Sequence, residues 1–312
     1  MKPAVAAAGT EARDPAVLAA AVAAVTLWAA TPAVTKVAVG ALDPLAVGLL
    51  RTELAAVAAL ALILAARMAV PRGARLWGGL AVSAVGGFVI FPILFSLGMA
   101  RTSAGHGALL VATAPLFTGL IAAVLERRAP PGRWWLGAAV ASAGVIFLVD
   151  ARLGLGGAGA TATGDLLVFL SCIAAAAGYV AGARAARVLG TWPTILWALV
   201  LSGFVLLPAL PTAIKEFRAA EAGATLWGAL IYLSVVSSIL AYGAWYWALA
   251  RGGIGRIGAI QFAQPLIGLM VAVLALSEAL TWPLAIAAAL IVGGIALAQV
   301  PGPHPGTGGS KS

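Results

Sequence analysis

The sequence predicts an all-α membrane protein of ten transmembrane helices, arranged as two inverted-topology five-helix repeats. Three observations carry this reading. Only 9% of the 312 residues are charged and 62% are hydrophobic, whereas soluble domains carry about 25% charged residues, so most of the chain has no surface that water would wet. The apolar residues fall in uninterrupted runs of about 18–26, the length that crosses a hydrocarbon core of about 30 Å at about 1.5 Å per residue. The chain also repeats itself at a shift of 150 residues.

Taken in order, a short charged segment, 1–16, holds Lys2, Glu11, Arg13 and Asp14 and precedes the first span, 17–37. The run from Val17 has full helix length, which reads as an uncleaved span rather than a signal peptide. Asp43-Pro44 separates it from the second span, 44–66, and Arg67, Arg72 and Arg75 set off the third, 75–97. Arg101 precedes the fourth span, 103–125, and Glu126-Arg127-Arg128 precedes the fifth, 133–150. A Gly-rich linker, 151–163, marks a flexible seam. Beyond it lie spans 164–183, 193–212, 224–249, 257–277 and 281–299, divided by Arg184 and Arg187, Lys215 and Arg218, Arg251 and Arg256, and Glu278. The tail 301–312, with His304 among Pro, Gly and Ser, reads as disordered. These runs are apolar all round, which excludes the alternating pattern of a transmembrane barrel.

Basic residues set the orientation. With a cytoplasmic N-terminus, thirteen of the nineteen fall on inside segments and five outside, with Arg51 inside a helix. The positive-inside rule then places both termini in the cytoplasm of a plasma membrane, expected to be a bacterial inner membrane. The net charge of +9 does not point to nucleic acid, because the basic residues are scattered singly between apolar runs.

The repeat aligns Leu76-Trp77-Gly78 with Leu226-Trp227-Gly228, Ala100-Arg101 with Ala250-Arg251, Gly105 with Gly255 and Pro115-Leu116 with Pro265-Leu266. Its halves, 17–150 and 164–300, each hold five spans, and an odd number reverses the direction of the second copy in the membrane. Trp28, Lys36, Asp43-Pro44 and Arg51 in the first two spans resemble the EamA-type branch of the drug/metabolite transporter superfamily. So do the block from Ala100-Arg101 through His106-Gly107 to Pro115-Leu116 and its counterpart from Ala250-Arg251 through Gln264-Pro265-Leu266 to Glu278. That resemblance covers roughly residues 17–300. It implies ten helices, both termini inside, and a central cavity built largely from helices 1, 3, 4, 6, 8 and 9. The superfamily moves amino acids, nucleotide precursors, sugar phosphates and drugs, so the resemblance defines a fold better than a cargo.

Within the spans, polar and helix-breaking residues mark where chemistry could reside. Glu53 lies about 13 Å along its helix from Pro44, near the midplane, where a carboxylate either exchanges protons as a coupling group or forms a structural pair with a neighbouring helix. Arg51, two residues away, points to a different face and either snorkels outward or binds a substrate carboxylate. Pro32, Pro92, Pro115 and Pro265 break helices 1, 3, 4 and 9 and leave the carbonyls of Trp28, Phe88, Val111 and Gln261 without their helical partners. Such breaks tend to mark binding regions in repeat transporters, though each is also explained by a packing kink. Gln261 and Gln264, three apart, share a face and suit a polar ligand group or an interhelical hydrogen bond. Ser238, Tyr242 and Tyr246 form a stripe at i, i+4 and i+8. Trp28 and Tyr179 occupy matching places in helices 1 and 6 and could face each other across the cavity.

Other residues read as structural. Trp245 and Trp247 read as interfacial anchors, and His106 as interfacial rather than a proton relay. Glu126 and Glu278 read as caps on the helices that follow them. Gly137 and Ala141, and Ala285, Ala289 and Gly293, read as small-residue packing faces.

Competing functions thin out on the same evidence. Cys172 is the one cysteine, and no Cys/His spacing suits a metal. No Gly-x4-Gly-Lys-Ser/Thr loop is present, and no nucleophile has a plausible base, so neither a cofactor nor an enzyme activity is expected. The expected function is a secondary active transporter, an exporter of small metabolites such as amino acids that works by alternating access in the lipid bilayer. The alternative is a translocator of hydrophobic drugs or lipids. Oligomeric state is not legible.

Overall fold

The computed structural model describes residues 15–127, 129–155, 161–219, 222–252 and 259–299, and every regular element among them is helical. The expectations for the charged N-terminal segment, the middle of the linker and the tail with His304 lie outside these residues. In chain order the helices are α1 (Pro15–Ala41), α2 (Pro44–Ala65), α3 (Ala74–Met99), α4 (Ala104–Leu125), α5 (Gly132–Leu148), α6 (Ala162–Leu189), α7 (Thr191–Arg218), α8 (Ala224–Ala248), α9 (Ala263–Leu276) and α10 (Trp282–Ala298). Seven are long and apolar enough to cross a membrane, and α5, α9 and α10 are shorter apolar helices. At 14 described residues α9 spans about 21 Å, short of a full crossing.

Local chemistry starts and interrupts these helices. Asp43 accepts a hydrogen bond from Ala46 N at 3.0 Å and Pro44 opens α2, where a missing N–H costs nothing. Pro32 restarts α1 after Ala30, Pro115 restarts α4 after Ala112 and Thr113, and a 3₁₀ turn at Leu207–Ala209 carries Pro208 within α7. Both α3 and α8 widen in mid-course into π-helix, at Ala84–Ile90 and Tyr232–Leu240. Their first turns begin at Ala74 and Ala224, so the 150-residue repeat places two rare wide turns at nearly matching positions.

The packing has a regular pattern. α2 packs on α7, α4 on α9 and α5 on α10, while α1 lies against α8 and α9 much as α6 lies against α3 and α4. The α5–α10 contact is close: a Cβ on Gly137 would sit 2.4 Å from Gly294 O and Ala298 N, and one on Gly294 would sit 2.4 Å from Ala141 N. Gly137 and Ala141 therefore form the expected face on α5. On α10 the packed face is Ala287, Ile291, Gly294 and Ala298, not the expected Ala285, Ala289 and Gly293. Gly293 has open space where a side chain would be. So many small residues in α10 leave the sequence without contrast between its faces.

The two ends of the bundle are fastened differently. At one end Lys36, the α3–α4 turn, Thr161 and Glu278 meet. At the other, Trp197 Nε1 of α7 donates to Ala69 O in the α2–α3 connection at 3.2 Å.

Candidate functional site

The helix breaks bring one aromatic cluster together inside the bundle. Trp28, beside the interruption in α1, lies edge-on to Tyr242 at 4.9 Å and tilted against Trp245 at 5.8 Å between ring centroids. Tyr242 also meets Phe88 of α3 at 5.5 Å and Tyr246 at 6.2 Å, and Tyr246 stacks on Tyr179 of α6 at 5.6 Å. Trp28 and Tyr179 are joined through Trp245, whose Nε1 donates to the Tyr179 hydroxyl at 2.8 Å. Trp245 is only 1% exposed, so it belongs to this cluster and not to an interfacial belt. Trp247 is half-buried and carries Arg251 over its ring at 4.4 Å.

Backbone groups near the breaks are satisfied by side chains, most of them from another helix. Trp28 Nε1 donates to Ser237 O in the wide turn of α8 at 3.0 Å, and the Tyr232 hydroxyl donates to Leu27 O at 2.6 Å. Thr31 and Ser237 hydroxyls pair at 3.0 Å. The Phe88 carbonyl that Pro92 deprives of its donor accepts from Thr52 Oγ1 at 2.8 Å. Leu110 O, next to the break before Pro115, accepts from Thr113 Oγ1 at 2.7 Å.

The wide turn also changes which serine faces α1. An α-helical period puts Ser238 on the face of Tyr242 and Tyr246, but the Ser238 hydroxyl donates within its own helix to Leu233 O at 2.8 Å. Ser237, five residues before Tyr242, is the one that meets α1, because a π turn closes from i to i+5.

Arg51 turns inward. It is 3% exposed, with its guanidinium 5.9 Å above the Phe91 ring and within electrostatic reach of the Tyr242 hydroxyl. Its Nε and Nη1 have no hydrogen-bond partner among the described residues. Glu53 instead lies on the α2–α7 contact, where a Cβ on Gly203 would come 3.3 Å from its Oε2. Its Oε1 has no partner, and among the described residues no basic side chain pairs with it. Gln261, in a 3₁₀ turn at Ala259–Phe262, and Gln264, in the first turn of α9, are half-buried in a segment whose Ile260, Ala263 and Ile267 pack with Trp28 and Tyr179 around the Val17–Val25 core. Pro265 is buried beside them. About 20 Å³ remains between Ser83, Phe88, Tyr179, Thr194, Tyr242 and Tyr246, room for about one water and too little for a metabolite.

Glu278 does not cap α10. Its two oxygens accept from Ala104 N at 2.6 Å and Gly105 N at 2.8 Å, capping α4 of the other half, while Thr281 Oγ1 accepts from Leu284 N at 3.4 Å at the start of α10. The Glu126 side chain lies outside the described ones. His106 is not simply interfacial, because it meets Asp165, a buried carboxylate that sequence reasoning missed. Thr52 and Ser237 were missed as well. Of these, Thr52 had a legible signal, a hydroxyl at the same depth as Arg51 and Glu53.

Comparison with known proteins agrees with this architecture. The model of the EamA-like transporter family matches residues 15–150 and again 162–299. An uncharacterized transporter of Bacillus subtilis (strain 168), YdeK, is 32% identical over 250 residues, covering 80% of this chain and 85% of its own length. A probable amino-acid metabolite efflux pump of Escherichia coli (strain K12) is 27% identical over 282 residues, 87% of this chain and 90% of its own. A probable terminal-alkyne amino-acid exporter of Streptantibioticus cattleyicolor is 30% identical over 192 residues, 62% of this chain and 63% of its own. A solved crystal structure overlays with a TM-score of 0.63 at 24% identity, covering 90% of this chain and 97% of that one, a likeness of fold. With both halves of the sequence matched by its model, the chain belongs to the EamA-like transporter family.

Proposed function

We propose that this protein is a secondary transporter that exports small carboxylate-bearing metabolites such as amino acids across a plasma membrane by alternating access. The observation that carries the reading is Arg51. A cation withdrawn from water costs several kcal/mol unless it is paired, and here two of its donors have no partner among the described residues while Phe91 lies 5.9 Å from the guanidinium and Tyr242 is within its electrostatic reach. A carboxylate from the cargo completes that site, with Trp28, Tyr242, Tyr246 and Tyr179 around its apolar part and Gln261 and Gln264 orienting its amine. Glu53, without a cation of its own, is the proposed coupling group. Ten spans in two inverted repeats, with both termini cytoplasmic, are the proposed frame. Supporting it are the two family matches, the paired wide turns and a packing pattern in which most inter-half contacts have a counterpart. The narrow space between the rings implies that the cargo enters only when the bundle opens.

The test uses purified protein in proteoliposomes, with labelled phenylalanine and a fluorescent lipid analogue offered in parallel. Amino-acid transport in the parent that falls about 10–100-fold in Arg51→Gln supports the reading, the size following from loss of a charge-assisted contact of about 1.5–3 kcal/mol. Translocation of the lipid analogue alone rejects it in favour of a hydrophobic cargo.

A further inference from the structure

One residue, Gly190, joins α6 to α7, and its φ of +83° turns the chain in a conformation that a side chain would strain. Its N–H donates to Ala186 O at 2.9 Å and its carbonyl accepts from Thr194 Oγ1 at 2.8 Å, so the joint is held from both helices. That joint sets the first turn of α7 beside the aromatic site. Thr194 and Ile195 line the narrow space between the rings, and Thr194 is 3% exposed. Trp192, two residues earlier and one turn nearer the end of the bundle, is 39% exposed.

The Trp192 indole is seated on α8. A Cβ on Gly243 would lie 2.6 Å from Trp192 Cζ2 and 2.7 Å from Cζ3, so the six-membered edge of the ring occupies the place of a side chain there. Glycine weakens a helix interior relative to alanine, and at Gly243 the missing Cβ is what makes room for the ring. Gly243 follows Tyr242 and precedes Tyr246 by three residues, and both tyrosines line the same narrow space. The indole thus spans from one wall of the site to another at its α6–α7 end.

The two flanks of α7 are held by different means. Toward α3, Trp197 lies edge-on to Trp77 at 5.9 Å and donates to Ala69 O at 3.2 Å. Toward α8, no hydrogen bond or ion pair joins the two helices among the described residues. Lifting the ring from Gly243 therefore breaks no polar contact between α7 and α8, and an indole at a helix end is well accommodated at the level of the lipid headgroups.

We propose that Trp192 is a movable plug over the α6–α7 mouth of the aromatic site, seated on Gly243, and that the cargo passes this mouth when the ring leaves its seat. The proposal rests on the transport reading only for what passes the mouth. Its test reads the opening without any cargo, so failure of transport and failure of the plug are separable.

The test follows the reaction of single cysteines with N-ethylmaleimide in proteoliposomes of the full chain carrying Cys172→Ala. Ser83→Cys reports the opening, because Ser83 is 6% exposed and lines the narrow space. Arg72→Cys, exposed in the α2–α3 connection, is the reference to which rates are normalised. Ser96→Cys reports general loosening: Gly79 of α3 faces Ala185 and Gly98 faces Gly164, so Ser96, 0% exposed, lies on the half of α3 away from Gly190. Trp192→Ala is expected to raise the Ser83→Cys rate about three- to tenfold and to leave Ser96→Cys unchanged. Gly243→Ala, which pushes the ring from its seat, raises the Ser83→Cys rate as well. The two together raise it no further than Trp192→Ala alone, because no ring remains to be moved. An unchanged Ser83→Cys rate in Trp192→Ala overturns the proposal, as does a further rise when Gly243→Ala is added to it. A parallel rise at Ser96→Cys overturns it too, because the contact then holds the whole bundle and not one mouth.

Discussion

Gly203→Ala sets helix propensity against packing, and the two disagree in sign. Alanine favours a helix over glycine by about 1 kcal/mol, so an isolated α7 would gain. In the bundle, the new carbon would lie 2.4 Å from Ala56 Cβ and 3.3 Å from Glu53 Oε2. Carbon atoms rest at about 3.5–4.0 Å, and Ala56 Cβ is fixed to its backbone, so α2 and α7 must separate by more than about 1 Å, whereas the Glu53 carboxylate can turn aside. Overpacking of this kind costs about 1–3 kcal/mol, and its upper range applies here, for a net loss of about 2 kcal/mol after the propensity gain. Reversible unfolding of the purified protein in mixed micelles with increasing dodecyl sulfate reads the difference. Ala56→Gly removes the opposing carbon, so the double variant is expected to return to within about 1 kcal/mol of the parent, a coupling that a double-mutant cycle isolates. A Gly203→Ala protein as stable as the parent, or more so, would refute the close α2–α7 contact at Ala56.

Thr52→Val keeps the side-chain shape but removes the donor to Phe88 O, with an expected loss of about 1–3 kcal/mol in the same unfolding assay; unchanged stability would mean that the carbonyl has another donor. Gln264→Leu is expected to fold normally and to lose about 10–100-fold in transport rate, and parent-level transport would remove the amide from the site. Glu53→Gln strands no buried cation, so its stability should stay within about 1 kcal/mol of the parent. It should also retain solute exchange and lose accumulation driven by a pH gradient across proteoliposomes, and undiminished accumulation would exclude Glu53 from coupling.

The helices were legible because long apolar runs leave the backbone little else, and seven of them are long and apolar enough to cross a membrane; the family was legible in the repeated Trp, Arg and Pro positions. Trp28, Tyr179, Tyr242 and Tyr246 meet in one cluster because tyrosines and tryptophans deep in apolar helices have few other places for their polar tips. The errors have specific causes. Trp245 was judged by its distance from a helix end, yet its indole finds Tyr179 deep in the bundle. Ser238 was chosen with a period of 3.6, and the wide turn moves the neighbouring Ser237 into its place. Asp165 stands at a linker edge, where a charged residue ordinarily faces water, and only the fold brings Thr102 and His106 to it. Glu278 caps a helix 174 residues away in sequence, which no local pattern encodes.

The wide turns in α3 and α8 each hold a surplus residue relative to an α-helical path. Deleting one residue from Ala84–Ile90 would take up that surplus and close the wide turn into α-helix, whereas the same deletion in a regular stretch would rotate one side of the helix by about 100° against the other. Leu80 and Ser83, now buried, would keep their face. The two wide turns thus let a lineage gain or lose one residue in mid-helix while changing only the side chains of the turn itself.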